Sequence, residues 1–184
     1  MILPIVSYGF PILKKKCSEI DDDFQDLEIL LENMWQTMYN AKGVGLAAPQ
    51  INQAIRVFVV DSSPFHEQDD TIPSLKQVFI NPVILEEFGE DVMFNEGCLS
   101  IPDIREDICR KSKITIKYFD EQFQSHTKSY EGIPARVIQH EYDHIEGILF
   151  TDKLSPIKKR MIKRRLENIS KGKVQVDYNM KFWK

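Results

Sequence analysis

The stretch His140-Glu141-Tyr142-Asp143-His144 puts two imidazoles four residues apart, with a carboxylate directly after the first. On an α-helix such residues stack on one face, so both rings can reach a single ion. Glu141 would then lean over an open coordination position and take a proton from ion-bound water. So short a pattern also arises by chance, as two exposed histidines on a charged helix.

Two imidazoles do not complete a catalytic centre, which takes about three protein ligands plus a water. Cys98 is one candidate for the third. It lies in Asn95-Glu96-Gly97-Cys98-Leu99-Ser100, where Gly97 permits close backbone approach and polar neighbours interrupt the apolar pattern. The plainer reading of an isolated cysteine is a small buried apolar residue. Glu167 is the rival ligand, because some zinc peptidases with this helix motif use a downstream glutamate. Imidazole and thiolate suit Zn²⁺, Fe²⁺, Co²⁺ or Ni²⁺ and disfavour Mg²⁺ and Ca²⁺.

The elements that must position these residues can be read from periodicity. Pro134 opens and Gly147 closes a helical pattern containing both histidines. Phe24 to Tyr39 is an amphipathic helix, with Asp21 to Asp23 clustered at its positive end. A last helix is expected from Pro156 to Ile169, with Ile157, Met161, Ile162, Leu166 and Ile169 as its apolar side. The runs 55–60, 78–84, 114–119 and 124–130 have strand composition, with a hairpin turn at Asp120 to Gln122. Gly43 to Gln50 reads as a turn into an extended segment, 62–74 as a surface loop, and Val174 to Tyr178 as strand-like. Together they predict an α+β fold. Mostly antiparallel sheets would pack around a central helix carrying the histidine motif, followed by a C-terminal helix.

With 184 residues, 42% hydrophobic and 28% charged, the chain fits one globular domain over 1–184 and excludes disordered or membrane composition. Met1 to Leu13 lacks a basic leader and carries Pro4, Gly9 and Pro11, which fits neither a signal peptide nor a spanning helix. A cytoplasmic protein with reduced thiols is expected, since three cysteines make no disulfide framework. The net charge of -4 conceals a basic block: Lys153 to Lys173 holds nine Lys or Arg against the single acid Glu167. Such a run is usually a solvated face.

Three separated segments resemble one family, the peptide deformylases. They are Gly43-Val44-Gly45-Leu46-Ala47-Ala48-Pro49-Gln50, Glu96-Gly97-Cys98-Leu99-Ser100 and Gln139-His140-Glu141-Tyr142-Asp143-His144, in the family's order and at compatible spacing. Tyr8-Gly9-Phe10-Pro11 is similar to its N-terminal segment. The resemblance implies a metal-dependent hydrolase that removes the formyl group from the N-terminal methionine of newly made proteins and releases formate. It implies Cys98, His140 and His144 as metal ligands, metal-bound water as nucleophile and Glu141 as general base and acid. The Gln50 amide and the Leu99 backbone N–H would stabilise the oxyanion. Val44, Gly45, Phe94, Gly97, Ile133 and Val137 would bind substrate, with the backbone near Gly45 pairing with an extended peptide.

Fe²⁺ is the ion that the resemblance implies in the cell, with Zn²⁺, Ni²⁺ or Co²⁺ able to occupy purified protein. Gln139, Glu96 and Asp143 are candidates to orient the histidines, and Arg105 or Arg110 to neutralise Asp143 or to receive a substrate carbonyl, unless they are solvated surface arginines. The partner is a nascent formyl-Met polypeptide. A weak, salt-dependent contact of the basic C-terminal helix with ribosomal RNA follows from where such chains emerge. Neither DNA nor a membrane is expected as a partner.

Overall fold

The computed structural model describes residues 1–183. Strand β1 (Ile5–Val6) opens the chain, and helix α1 (Leu27–Asn40) follows. Next come strands β2 (Gly45–Ala47) and β3 (Val57–Asp61), the short helix α2 (Ser63–His66), and strands β4 (Lys76–Cys98), β5 (Ile101–Phe119) and β6 (Ser125–Glu131). Helix α3 (Gly132–Ile145), helix α4 (Pro156–Ser170) and strand β7 (Met180–Lys181) complete it. One sheet has the order β2-β3-β4-β5-β6, antiparallel throughout, and a second pairs β1 with β7 in parallel. The α+β class and the mainly antiparallel sheet are as expected. Among the described residues, no helix is long and apolar enough to cross a membrane.

Helix α3 lies against the sheet through Ala135, Val137, Ile138 and Ile145, which pack on Phe58, Phe79, Ile114, Ile116 and Tyr118. Burying each valine, isoleucine or phenylalanine of this set is worth about 1.5–3 kcal/mol, so this face fixes the helix and with it the two histidines. Pro134 sits in the first turn, and Gly147 follows the end at φ 75. A Cβ at Gly147 would stand 2.7 Å from the Lys14 carbonyl oxygen, so this stop also needs the absence of a side chain. Helix α4 buries Ile162, Leu166 and Ile169 against Ile104 and Ile108 of β5.

Several expectations are corrected. Helix α1 starts at Leu27 and not Phe24, because Asp26 takes a left-handed conformation (φ 59) that breaks the first turn. Phe24 still packs on the core beside Leu31 and Met34. The 62–74 segment includes a helical turn, α2. Ile157 and Met161 are 74% and 75% exposed, since the stripe at 162, 166 and 169 turns them to solvent. Val174 to Tyr178 forms no strand; the terminal strand is β7, two residues further on. Strand β4 is far longer than the apolar run 78–84, because most of 85–95 is exposed and carries no buried alternation.

Candidate active site

Strand β4 ends at Cys98, and the turn to β5 is Leu99-Ser100. His140 and His144 project from α3 towards this turn. Cys98 Sγ lies 3.2 Å from His144 Nε2, and one ligand atom from each of the three residues lies within 4.8 Å of the others. Ligands of one tetrahedral ion with nitrogen and sulfur donors stand about 3.3–3.8 Å apart, so the trio fits a single ion. Glu167, the rival ligand, is 52% exposed on α4 and stands outside the trio.

The Glu96 carboxylate orients one imidazole: its Oε2 lies 2.9 Å from His140 Nδ1, leaving Nε2 to face the trio. Arg110 anchors Glu96, with Nε 2.7 Å from Oε1 and Nη2 3.0 Å from Oε2. Its third nitrogen donates to Asp143 Oδ2 at 2.6 Å. Arg136 adds a bond to Glu96 Oε1 at 3.1 Å. Burial would raise the Glu96 carboxyl, yet bonds from His140 and Arg110 hold it well below the ordinary glutamate range. Gln139 turns away and donates to the carbonyls of Lys111 and Ala135. Arg105 binds Asn95 instead of Asp143.

Glu141 is 4% exposed, and its Oε2 has no hydrogen-bond partner among the described residues. Burial pushes its carboxyl up to about 7, against the pull of His140. Gly45 makes room for it: a Cβ there would stand 2.7 Å from the Glu141 carboxyl carbon. Gln50 follows β2 in a short 3-10 turn, 2% exposed. Its Oε1 accepts from the Ala47 N–H at 2.8 Å, which leaves the amide NH₂ facing Cys98 Sγ at 3.6 Å and Ser100 Oγ at 3.4 Å.

A cleft of about 1310 Å³ opens over this cluster. Val44, Gly45, Phe94, Gly97 and Val137 line it, whereas Ile133 does not and packs, half-buried, against the core that holds Ala135 and Val137. Three contributors were not anticipated. Phe65, from the 62–74 segment, and residues 174–178 also border the cleft. Arg136 completes the charge network, and it shares a helix face with His140 and Asp143, a spacing of four and seven that could have pointed to it.

A cysteine and two histidines close enough to hold one ion, with the buried carboxyl group of Glu141 beside them, make the arrangement a metal-dependent hydrolase needs. The profile of the family described as polypeptide deformylase matches residues 2–160. The peptide deformylase of Christiangramia forsetii is 58% identical over 189 residues, covering 99% of this chain and 96% of that one. That of Flavobacterium psychrophilum is 55% identical, covering 98% and 97%. Among solved structures, a peptide deformylase from Legionella pneumophila superposes with TM-score 0.82 at 35% identity, over 94% of this chain and 98% of that one. The chain belongs to the polypeptide deformylase family, whose members remove the N-formyl group from nascent polypeptides.

Proposed function

We propose that this chain, folded as one catalytic domain, deformylates nascent formyl-Met polypeptides in the cytoplasm with Cys98, His140 and His144 holding Fe²⁺. The bound ion would polarise the formyl oxygen and make a water nucleophilic near neutral pH. Glu141 accepts the proton of that water as its oxygen bonds to the formyl carbon. The C–N bond then breaks, Glu141 returns the proton to the departing amine, and formate leaves. The Gln50 NH₂ and the Leu99 N–H donate to the oxygen that gains charge. Gly45 and its neighbours offer a strand edge to the peptide, while Val44, Phe94, Gly97 and Val137 receive the methionine.

One observation carries this reading: Glu141 is buried beside the trio with a carboxyl oxygen unpartnered. Leaving such an atom unpaired costs about 1–3 kcal/mol, which a purely structural ion gives no reason to tolerate. The test is formate release from a formyl-Met peptide by protein purified without oxygen, with elemental analysis of the same sample. Turnover with iron at one equivalent is expected; an ion-loaded protein releasing no formate sinks the proposal. Gln50→Leu should keep the fold and ion and lose about 10²–10³ in kcat. Wild-type kcat in that variant would remove Gln50 from the mechanism.

The basic face of α4 supports a weak ribosomal RNA contact. Lys159, Lys163 and Arg164 are all exposed, beside the apolar pair Ile157 and Met161. Charge reversal at these three basic positions should abolish co-sedimentation with ribosomes at low salt. Unchanged co-sedimentation would end this part of the proposal.

A further inference from the structure

The segment from Val174 to Tyr178 lies beyond the residues 2–160 that the family profile matches, yet it borders the same cleft as Gly45, His140 and Glu141. It is strand-like in composition but pairs with no strand among the described residues. Its two ends are fastened instead. Upstream, α4 is held on β5 by Ile162, Leu166 and Ile169. Downstream, the Ile5 N–H donates to the Asn179 carbonyl at 2.9 Å and the Ser7 N–H to the Lys181 carbonyl at 2.9 Å, which ties β7 to β1.

Between these anchors, two contacts reach opposite sides of the site. The Tyr178 phenol donates to the Leu99 carbonyl at 2.7 Å. Since the Tyr8 N–H donates to the Ser100 carbonyl at 2.8 Å, both carbonyls of the β4–β5 turn are held. A turn restrained in this way also restrains the direction of the Leu99 N–H. On the other side, Lys42 Nζ lies 2.6 Å from Asp177 Oδ2, next to the glycine segment that leads into β2.

The interior of the segment alternates. Val174, Val176 and Tyr178 are half-buried, and Lys173, Gln175 and Asp177 are exposed. Val174 packs on the core beneath α4 and Tyr178 on the core around α1. Val176, between them, belongs to neither core and borders the cleft. The cleft, at about 1310 Å³, is larger than a single methionine side chain needs, since whole small-molecule sites occupy about 300–1,000 Å³. A cleft bordered on one side by the edge strand β2 and on another by this segment has room for a peptide.

We propose that residues 174–178 form a further wall of the substrate cleft, with Val176 contacting peptide residues beyond the formyl-methionine and Tyr178 positioning the Leu99 backbone. Tyr178 is thus a positioning residue and Val176 a determinant of preference for longer chains. The inference rests on the deformylase reading given above.

The test uses the ion-loaded full chain with formyl-Met-Ala and with a formyl-Met tetrapeptide. Tyr178→Phe, which removes only the hydroxyl, should lower kcat about three- to tenfold on both substrates while KM holds. Val176→Asp should lower kcat/KM about fivefold more for the tetrapeptide than for the dipeptide, and weaken binding of the deformylated tetrapeptide by calorimetry. Val176→Thr, which keeps the shape, should shift both in the same direction by less and serves if the aspartate variant misfolds. Wild-type kcat in Tyr178→Phe removes the positioning role. Equal losses on the two substrates with unchanged peptide binding remove the wall. If the wild-type chain itself releases no formate, the deformylase reading fails first; if it turns over and the variants match it, only this inference falls.

Discussion

Glu141→Gln should retain a full equivalent of ion and a near wild-type melting temperature, and lose about 10²–10⁴ in formate release. The amide matches the carboxylate in size, so the packing against Gly45 survives. What disappears is the proton acceptor. The carboxylate's unpartnered oxygen is free to take a proton, whereas its neighbours Glu96 and Asp143 are each engaged by arginine. Neither can stand in for it. Formate release near the wild-type rate would overturn the assigned role, and loss of the ion along with activity would make Glu141 a ligand. Rate and metal content therefore have to be read on the same preparation.

The histidine helix was legible in the sequence because its signals are local. Spacing of four, proline in the first turn and glycine past the end depend on nothing distant, and α3 begins and ends within two residues of the expected bounds. The same holds for α4, expected at 156–169 and found at 156–170. Its apolar side is wider in the sequence than in the fold, because Ile157 and Met161 are apolar at helical spacing and only the position of β5 decides which stripe is buried. Strand β4 shows the opposite: its outer half is exposed and pairs with β5 without an apolar alternation to mark it in the sequence. The choice between Arg105 and Arg110 was open, yet a signal existed. Ile104, Ile108, Ile114 and Ile116 put the inward face of β5 at even positions, so Arg110 points in and Arg105 out. Segment 174–178 was beyond local reasoning, since strand composition records a tolerance for extended backbone and says nothing of a partner.

The largest stability effect is expected from Arg110→Met. The guanidinium, with 4% of its side chain exposed, binds Glu96 (also 4%) and Asp143 (12%) at once. A buried pair of this kind adds little net stability over apolar packing, because desolvating the charges offsets their attraction. Removing one partner is different. It strands the carboxylates in a poorly solvated interior, which costs about 3–5 kcal/mol. Arg136 still reaches Glu96 at 3.1 Å, and Lys153 still reaches Asp143 at 3.2 Å, so the lower part of that range is expected. For a chain of this size, about 3 kcal/mol lowers the melting temperature by roughly 6–12 °C. The loss also reaches the ion. Glu96 would no longer be fixed beneath His140, and such supporting bonds are worth about 10–100-fold in metal affinity. Combining Arg110→Met with Asp143→Asn should recover part of the melting temperature, since it removes one stranded charge, but not the affinity, which depends on Glu96. Calorimetric melting and a competitive chelator titration separate the two effects. If Arg110→Met melts and holds its ion as the wild type does, the network is not what holds His140 in place.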